Sequence, residues 1–352
     1  MRIGIPTELK IMEGRVALIP AAAGELVKRG HEVYVQAGAG LQSGYRDADY
    51  SALGVHVLDD AAAVYGAGEL IVKVKEPQVE ELALLRADHL LFSYLHLAAD
   101  PALTEALCRI GLTAVAFETV AEGARLPLLA PMSDIAGRLG AQVGAHLLHA
   151  PQGGRGVLLG GLPAAERGRV VVIGAGVAGG SAVRVAAGLG AEVVVFDLNR
   201  DRLEAMRAFG PNVTALYPYE ESVRKAVLGA DLVIGAVLIV GARAPHVLDA
   251  ETVRRMQPGS VIVDISVDQG GCVETTRPTD YRAPTYVWED VVHFAVTNMP
   301  GAVPRSASQA LSAALIPYVA ALAQGEWRDN FALRAGINVA DHKVVHPALL
   351  DA

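Results

Sequence analysis

Short runs of Val, Ile and Leu alternate along the chain with stretches whose apolar residues recur every three to four positions. That alternation is the sequence form of repeated βα units around parallel sheets. A first series predicts strands near Arg2 to Ile5, Glu32 to Gln36, Val55 to Leu58, Leu70 to Lys75, Leu90 to Tyr94 and Thr113 to Phe117. Helices fall between them, among them Ala22 to Arg29 and Pro101 to Ile110, the latter opened by Asp100 as N-cap and Pro101 at the first helical position. A helical pattern from Ser133 to Ala150, with Ser133 or Asp134 available as cap, and a glycine-rich stretch at 153–161 lead into a second series. It begins at Val170 and predicts strands near Glu192 to Phe196, Val213 to Leu216, Leu232 to Ala236, Ser260 to Ile265 and His293 to Val296. A long Ala/Leu helix from Ser306 to Ala323 follows, and no further strand series is expected after it.

The chain has 352 residues, and at roughly 150 residues per domain that length suits two domains. The expected fold class is α/β, with two Rossmann-like, doubly wound parallel-sheet domains and an interdomain cleft. Residues 1–128 and 304–352 are expected to form a substrate or catalytic domain, and residues 129–303 a dinucleotide-binding domain. The C-terminal stretch is assigned to the first domain because the apolar face of its long helix must be buried somewhere.

Composition changes this picture by exclusion. Hydrophobic residues make up 52% and charged residues 19%, which is too apolar for a disordered chain. The charges, 30 basic against 38 acidic, sum to −8 without a run of like sign, so nucleic acid is not an expected partner. A membrane span needs about 20 predominantly apolar residues, and the stretch Ala310 to Ala323 is interrupted by Ser312 and Pro317. Pro6 and Glu8 follow Met1 too closely for a secretory apolar core, so a cytoplasmic location without membrane attachment is expected. Cys108 and Cys272 have no CxxC spacing and read as reduced thiols. Neither GxSxG, HExxH nor a Walker A sequence occurs. His342 and His346 have the i,i+4 spacing of a metal pair, but a solvated tail is the preferred reading and no metal is expected.

The candidate chemistry begins at Val170-Val171-Val172-Ile173-Gly174-Ala175-Gly176-Val177-Ala178-Gly179. GxGxxG here lies between a strand and a helix. Gly174 permits the tight turn, Gly176 lets the backbone approach a pyrophosphate, and Gly179 permits close helix–strand contact. The helix N-terminus offers N–H groups and a positive dipole end to the phosphates. A second strand then ends at Asp197, where a carboxylate can bind the adenosine ribose 2′-hydroxyl and repel a 2′-phosphate, so NAD is favoured over NADP; Arg200 and Arg202 weigh slightly the other way.

Ligands of open parallel sheets bind outside the carboxyl ends of the strands, which selects Arg15, Lys75, His96 and Asp268. Arg grips a carboxylate with two hydrogen bonds, Lys polarises a carbonyl oxygen, His passes protons near neutral pH, and Asp orients water or ammonia or stabilises a cationic imine. The set suits a 2-oxo or 2-amino acid. Each residue also has a plainer reading: Arg15 and Lys75 as solvated charges, His96 as a capped strand end, and Asp268 as a turn former before Gly270.

Gly4-Ile5-Pro6-Thr7-Glu8, Arg15-Val16-Ala17, Lys75-Glu76-Pro77, His96, Ala130-Pro131-Met132-Ser133, Gly153-Gly154-Arg155-Gly156, the turn Val172 to Gly179, Val263-Asp264-Ile265, Asp268-Gln269-Gly270-Gly271 and Asn298-Met299-Pro300 occur in this order. Together they resemble the alanine dehydrogenase family, which also includes the NAD-binding subunit of proton-translocating transhydrogenase and the lysine-forming saccharopine dehydrogenases. The resemblance implies a reversible NAD-dependent deamination of L-alanine to pyruvate and ammonium, commonly in a homohexamer. It further implies that Arg15 and Lys75 bind substrate and that His96 and Asp268 are catalytic. The cofactor would touch Ser133, Val177, Ala178, Asp197, Arg202, Val237, Leu238, Ile265, Ser266, Val267, Asp268, Arg277, Val296, Thr297, Asn298 and Met299. Ile11 and Met12 stand where the family usually has Asn, and Ile19 where it has Thr. Ala321 and Gly325, at the positions where some members hold a metal, are themselves neither acidic nor histidine, and no metal is expected there. A transhydrogenase-like NAD-binding subunit and a non-catalytic NAD-dependent regulator are the alternatives, and retention of all four polar groups argues against both.

Overall fold

The computed structural model describes residues 1–239 and 244–350; the last two positions of the expected first domain, 351 and 352, lie outside them. The strands are β1 (Arg2–Ile5), β2 (Glu32–Gln36), β3 (His56–Leu58), β4 (Leu70–Val72), β5 (Leu90–Ser93) and β6 (Thr113–Ala116), then β7 (Arg169–Ile173), β8 (Glu192–Phe196), β9 (Val213–Leu216), β10 (Leu232–Gly235), β11 (Val261–Asp264), β12 (Thr285–Trp288) and β13 (Val291–Phe294), and last β14 (Ile337–Ala340) and β15 (Lys343–Val344). The chain divides into two compact units, residues 1–132 with 301–352, and residues 133–300.

The first unit holds an eight-stranded sheet in the order β15-β14-β6-β5-β4-β1-β2-β3. β1 to β6 are parallel, and β1 pairs with β2 on one side and β4 on the other, so the strand order reverses between β1 and β4. Ligands of such sheets bind at this reversal, beyond the carboxyl ends. The three central strands are buried on both faces, as parallel strands covered by helices must be: Ile3, Ile5, Leu70, Ile71, Val72, Leu91 and Phe92 have no exposed surface. The tail contains strands after all. β14 runs antiparallel to β6 with a register shift between Ile337 and Val339, and β15 folds back on β14. Asp341 and His342, both with positive φ, make the turn between them. His342 and His346 therefore do not share a helix face, and among the described residues no cluster of metal-ligating side chains occurs.

The long helix spans Pro304–Gln324 and is apolar and long enough to cross a membrane by those two criteria, yet 56% of its most apolar window is buried within the structure. Its polar residues explain its place. Ser308 accepts the Val16 N–H at 3.0 Å and shares a 2.8 Å hydrogen bond with Ser43, while Ser312 accepts the Ile19 N–H and donates to the Ala17 carbonyl, both at 2.9 Å. The helix thereby fixes the loop after β1, satisfying backbone groups that would otherwise be buried without partners.

The second unit holds a seven-stranded sheet in the order β12-β13-β11-β10-β7-β8-β9. Five consecutive pairings are parallel and β12–β13 is an antiparallel hairpin at the edge. β7 lies between β8 and β10, the reversal point of a Rossmann-type order. The linking helix runs from Ala130 to Leu147, three residues earlier than its expected start. Asp134 therefore does not cap it; its carboxylate accepts the Ser181 hydroxyl at 2.5 Å and Arg138 at 2.8 Å.

Candidate functional site

In the second unit the glycine turn has a separate steric reason at each position. Gly174 has φ +99°, and a Cβ there would lie 2.4 Å from the Ala236 carbonyl oxygen. At Gly179 a Cβ would lie 1.7 Å from the Gly174 oxygen, so only glycine lets the helix Val177–Gly188 start this close to β7. A Cβ on Gly176 would meet nothing within 4 Å, which leaves its surface open to an incoming ligand. These residues fit a bound dinucleotide: two glycines close the turn and the third clears the approach to the helix N-terminus. Sequence reasoning missed Gly137, whose Cβ would lie 1.9 Å from the Ala178 oxygen, so the linking helix crosses directly behind the turn.

Asp197 directly follows β8, with its carboxylate mostly buried. Oδ2 accepts the Ala175 N–H at 2.6 Å and Oδ1 the Asn199 N–H at 2.7 Å, which ties the second strand to the glycine turn. Arg202 Nη1 lies 3.7 Å from Oδ2, within the helix Arg200–Arg207 that Asn199 caps. Arg202 thus joins Asp197 at the expected ribose position.

Asp268 is exposed on the 3₁₀ turn Ile265–Gln269 after β11. The buried residue that builds this loop is Asp264, which accepts the N–H groups of Ser266, Cys272 and Val273 at 3.0, 2.9 and 3.3 Å and the Thr276 hydroxyl at 2.8 Å. Burial pushes the Asp264 carboxyl above its ordinary range, and Thr276 and the N–H groups oppose that shift. Ser266 in turn accepts the Val237 N–H at 2.9 Å, linking the expected cofactor segments after β10 and β11. Leu238 is exposed beside Val237, whereas Val267 and Ser266 are buried. Val296 and Met299 are buried, Asn298 has φ +64°, and Thr297 donates to the Thr279 carbonyl at 3.1 Å. Arg277 stacks over the Tyr286 ring at 4.2 Å and shares with Thr297 a cavity of about 420 Å³. Ser133 lies on the first turns of the linking helix, half-buried.

Lys75 and His96 each stand three residues past the ends of β4 and β5, and Arg15 lies on the loop between β1 and the helix that starts at Pro20. Arg15 is only 2% exposed, which removes the reading of a solvated charge. Its Nε and Nη2 donate to the two Glu13 oxygens at 2.6 and 2.5 Å, and Nη1 faces the Met132 sulfur at 3.1 Å. Burial disfavours the guanidinium charge, but the Glu13 carboxylate outweighs it and raises the Arg15 pKa. Lys75 is also buried. β4 ends at Val72, earlier than expected, and the next residue, Lys73, enters a buried ion cluster. Its Nζ lies 2.7 Å from Glu81 and 3.3 Å from Glu8, and Tyr65 donates to Glu81 at 2.8 Å. Glu8, from the loop after β1, accepts the N–H groups of Val74 and Lys75 at 2.6 and 3.1 Å, so it ties the Arg15 loop to the Lys75 loop. Burial raises the Glu8 pKa despite Lys73.

His96 is half-exposed, with φ +48°. Its ring stacks on Tyr94 at 5.9 Å with 5° between planes. Burial pushes the Tyr94 hydroxyl well up, and Arg15 opposes that shift. Glu8, Glu13, Glu118 and Asp264 were missed from the sequence; Glu8 and Asp264 lay inside recognised motifs, but nothing local marked the atoms they hold.

The domain family described as Alanine dehydrogenase/PNT, N-terminal domain, matches residues 4–136, and that described as Alanine dehydrogenase/PNT, C-terminal domain, matches residues 140–347. The chain belongs to the alanine dehydrogenase/PNT family. It is 48% identical to the alanine dehydrogenase of Bacillus subtilis, over 99% of this chain and 94% of that protein, and 50% identical to that of Mycobacterium tuberculosis H37Rv, over 96% and 93%. A solved L-alanine dehydrogenase has a TM-score of 0.96 at 49% identity, covering 100% of this chain and 98% of its own. A transhydrogenase from Sinorhizobium meliloti has a TM-score of 0.86 at 26% identity, covering 99% and 100%.

Proposed function

We propose that the chain catalyses the reversible reaction of L-alanine, NAD and water to pyruvate, ammonium and NADH. What supports this reading is that Arg15, Lys75 and His96 follow β1, β4 and β5 in the first unit of a chain of the alanine dehydrogenase/PNT family, whose second unit carries the dinucleotide turn and Asp268. NAD supplies the hydride acceptor. Arg15 and Lys75 hold the substrate carboxylate and carbonyl oxygen. In the aminating direction His96 delivers a proton to the departing oxygen of the carbinolamine, and Asp268 stabilises the cationic imine that hydride then reaches. Gly174, Gly176, Val177, Ala178 and Gly179 hold the pyrophosphate and Asp197 the ribose.

Absorbance at 340 nm tests the reading. NADH oxidation is expected only with pyruvate and ammonium together, and NAD reduction with L-alanine. Pyruvate-driven oxidation without ammonium would indicate a hydroxy-acid dehydrogenase, and hydride exchange between nicotinamides without alanine turnover a transhydrogenase-like subunit. Assembly as a homohexamer belongs to the same reading, and the mass in solution checks it.

Cofactor choice follows from Asp197. Asp197→Ala removes both the ribose hydrogen bond and the repulsion of a 2′-phosphate while leaving Arg202 in place. NADH affinity should fall and the preference over NADPH should narrow about tenfold or more; an unchanged preference would show that Asp197 does not face the ribose. Arg15→Lys keeps the charge but loses the fork that both Glu13 and a carboxylate substrate need. The KM for pyruvate should rise about tenfold or more with NADH affinity unchanged, and equal loss of both would assign Arg15 to packing.

A further inference from the structure

Glu118 sits on the 3₁₀ turn Phe117–Thr119 that follows β6, and its carboxylate reaches across to the end of neighbouring β5. Oε1 accepts the His96 N–H at 2.6 Å, and the two oxygens accept the Leu95 N–H at 3.2 and 3.3 Å. The same Oε1 lies 3.9 Å from His96 Nδ1. His96 has φ +48° and ψ +39°, a left-handed state that a side-chain-bearing residue keeps only where its surroundings impose it. One face of its ring lies parallel to Tyr94, whose hydroxyl is anchored on the Leu128 carbonyl at 2.6 Å. Charge-assisted bonds to the backbone on one side and a pinned ring on the other leave the imidazole little freedom, although it is 44% exposed.

We propose that Glu118 is a positioning residue for His96. It holds the left-handed turn at the end of β5 so that the imidazole meets the substrate in one orientation. The proposal rests on the reading of His96 as the proton-transfer group. Displacement of such a group by about 1 Å costs up to a hundredfold in rate, and it is the Glu118 carboxylate that accepts the His96 N–H.

Steady-state kinetics of Glu118→Ala and Glu118→Gln, each in the parent and in His96→Ala, test it. Glu118→Ala should lose about tenfold or more in kcat with NADH affinity and pyruvate KM unchanged. Glu118→Gln, whose amide oxygen still accepts the N–H, should recover most of that turnover. In His96→Ala the second substitution should cost nothing further, because the group it orients is gone. Parent-like turnover in Glu118→Ala, or an equal loss in both backgrounds, would overturn the positioning role. Where Glu118→Ala cannot be purified, Glu118→Asp serves with the same expectations, since the shorter side chain cannot reach both N–H groups. Normal turnover in His96→Ala would defeat the proton-transfer reading itself and this proposal with it; loss there with normal turnover in Glu118→Ala would defeat the positioning role alone.

Discussion

His96→Ala and Asp268→Ala are each expected to lose about a hundredfold or more in kcat while binding NADH as the parent does. Both side chains are accessible at the ends of their strands, whereas Arg15 and Lys75 are buried in polar frameworks of their own. Removal of an exposed imidazole or carboxylate leaves no buried partner unsatisfied, so folding should be unaffected and the deficit should lie in the chemical step. NADH fluorescence measures binding and saturating-substrate rates measure turnover. For Asp268 the measurement has a second arm, because the residue lies on the loop expected to touch the cofactor. If NADH affinity falls in proportion to turnover, Asp268 holds the cofactor and does not stabilise the imine. If His96→Ala keeps normal turnover across the pH range, the proton-transfer role passes to Lys75.

Lys73→Met should destabilise the first unit by about 3–5 kcal/mol, the cost of leaving buried charges without their partner. Burial works against the Lys73 ammonium, but Glu8 and Glu81 outweigh it and hold the group charged. Without it, two carboxylates face each other in a site from which water is excluded, and Glu8 is already raised by burial with the lysine present. A carboxylate whose folded pKa exceeds its unfolded value binds more protons in the folded state, so its contribution to stability falls as pH rises through the ordinary carboxylate range. The deficit of Lys73→Met should therefore be greatest at neutral pH and shrink on acidification, and adding Glu81→Gln should restore part of it. Denaturant midpoints at pH 7 and pH 5 check both. Because Glu8 also accepts the Lys75 N–H, the KM for pyruvate should rise in the same variant. A midpoint unchanged at pH 7 would show that the Lys73 ammonium does not stabilise the fold through these two carboxylates.

Much of the fold is written locally. The strand, glycine turn, helix and Asp197 occupy one continuous segment; Gly179 answers to a contact within it, Gly174 to the Ala236 carbonyl after β10, and Gly176 to open space. Lys75, His96 and Asp268 could be proposed for a similar reason: a polar group within a few residues of an apolar run lies near the ligand end of a parallel strand whatever its neighbours are, whereas Arg15 stands ten residues past β1. The strands β12, β14 and β15 were not legible, whereas the edge strands β3 and β9 were. β12 alternates between exposed and half-buried positions, and β14 spans only four residues between a helix and a turn, so each is a strand chiefly through its pairing with β13 or β6.

The frameworks that hold the polar groups were decided by the tertiary structure alone. Glu13 lies two residues from Arg15, but Glu8 reaches Val74 and Lys75 from 66 and 67 positions away, Glu118 reaches His96 from 22, and Ser308 and Ser312 grip the loop after β1 from 292 and 293. A buried carboxylate must find N–H groups or a cation wherever the fold brings them, and a surface carboxylate needs neither, so the same residue type carries no local mark of which it will be. Hydrophobic periodicity and glycine positions thus determined the two sheets and their ligand-binding ends, while desolvation of charged groups between distant loops determined which acids orient Arg15, Lys75 and His96.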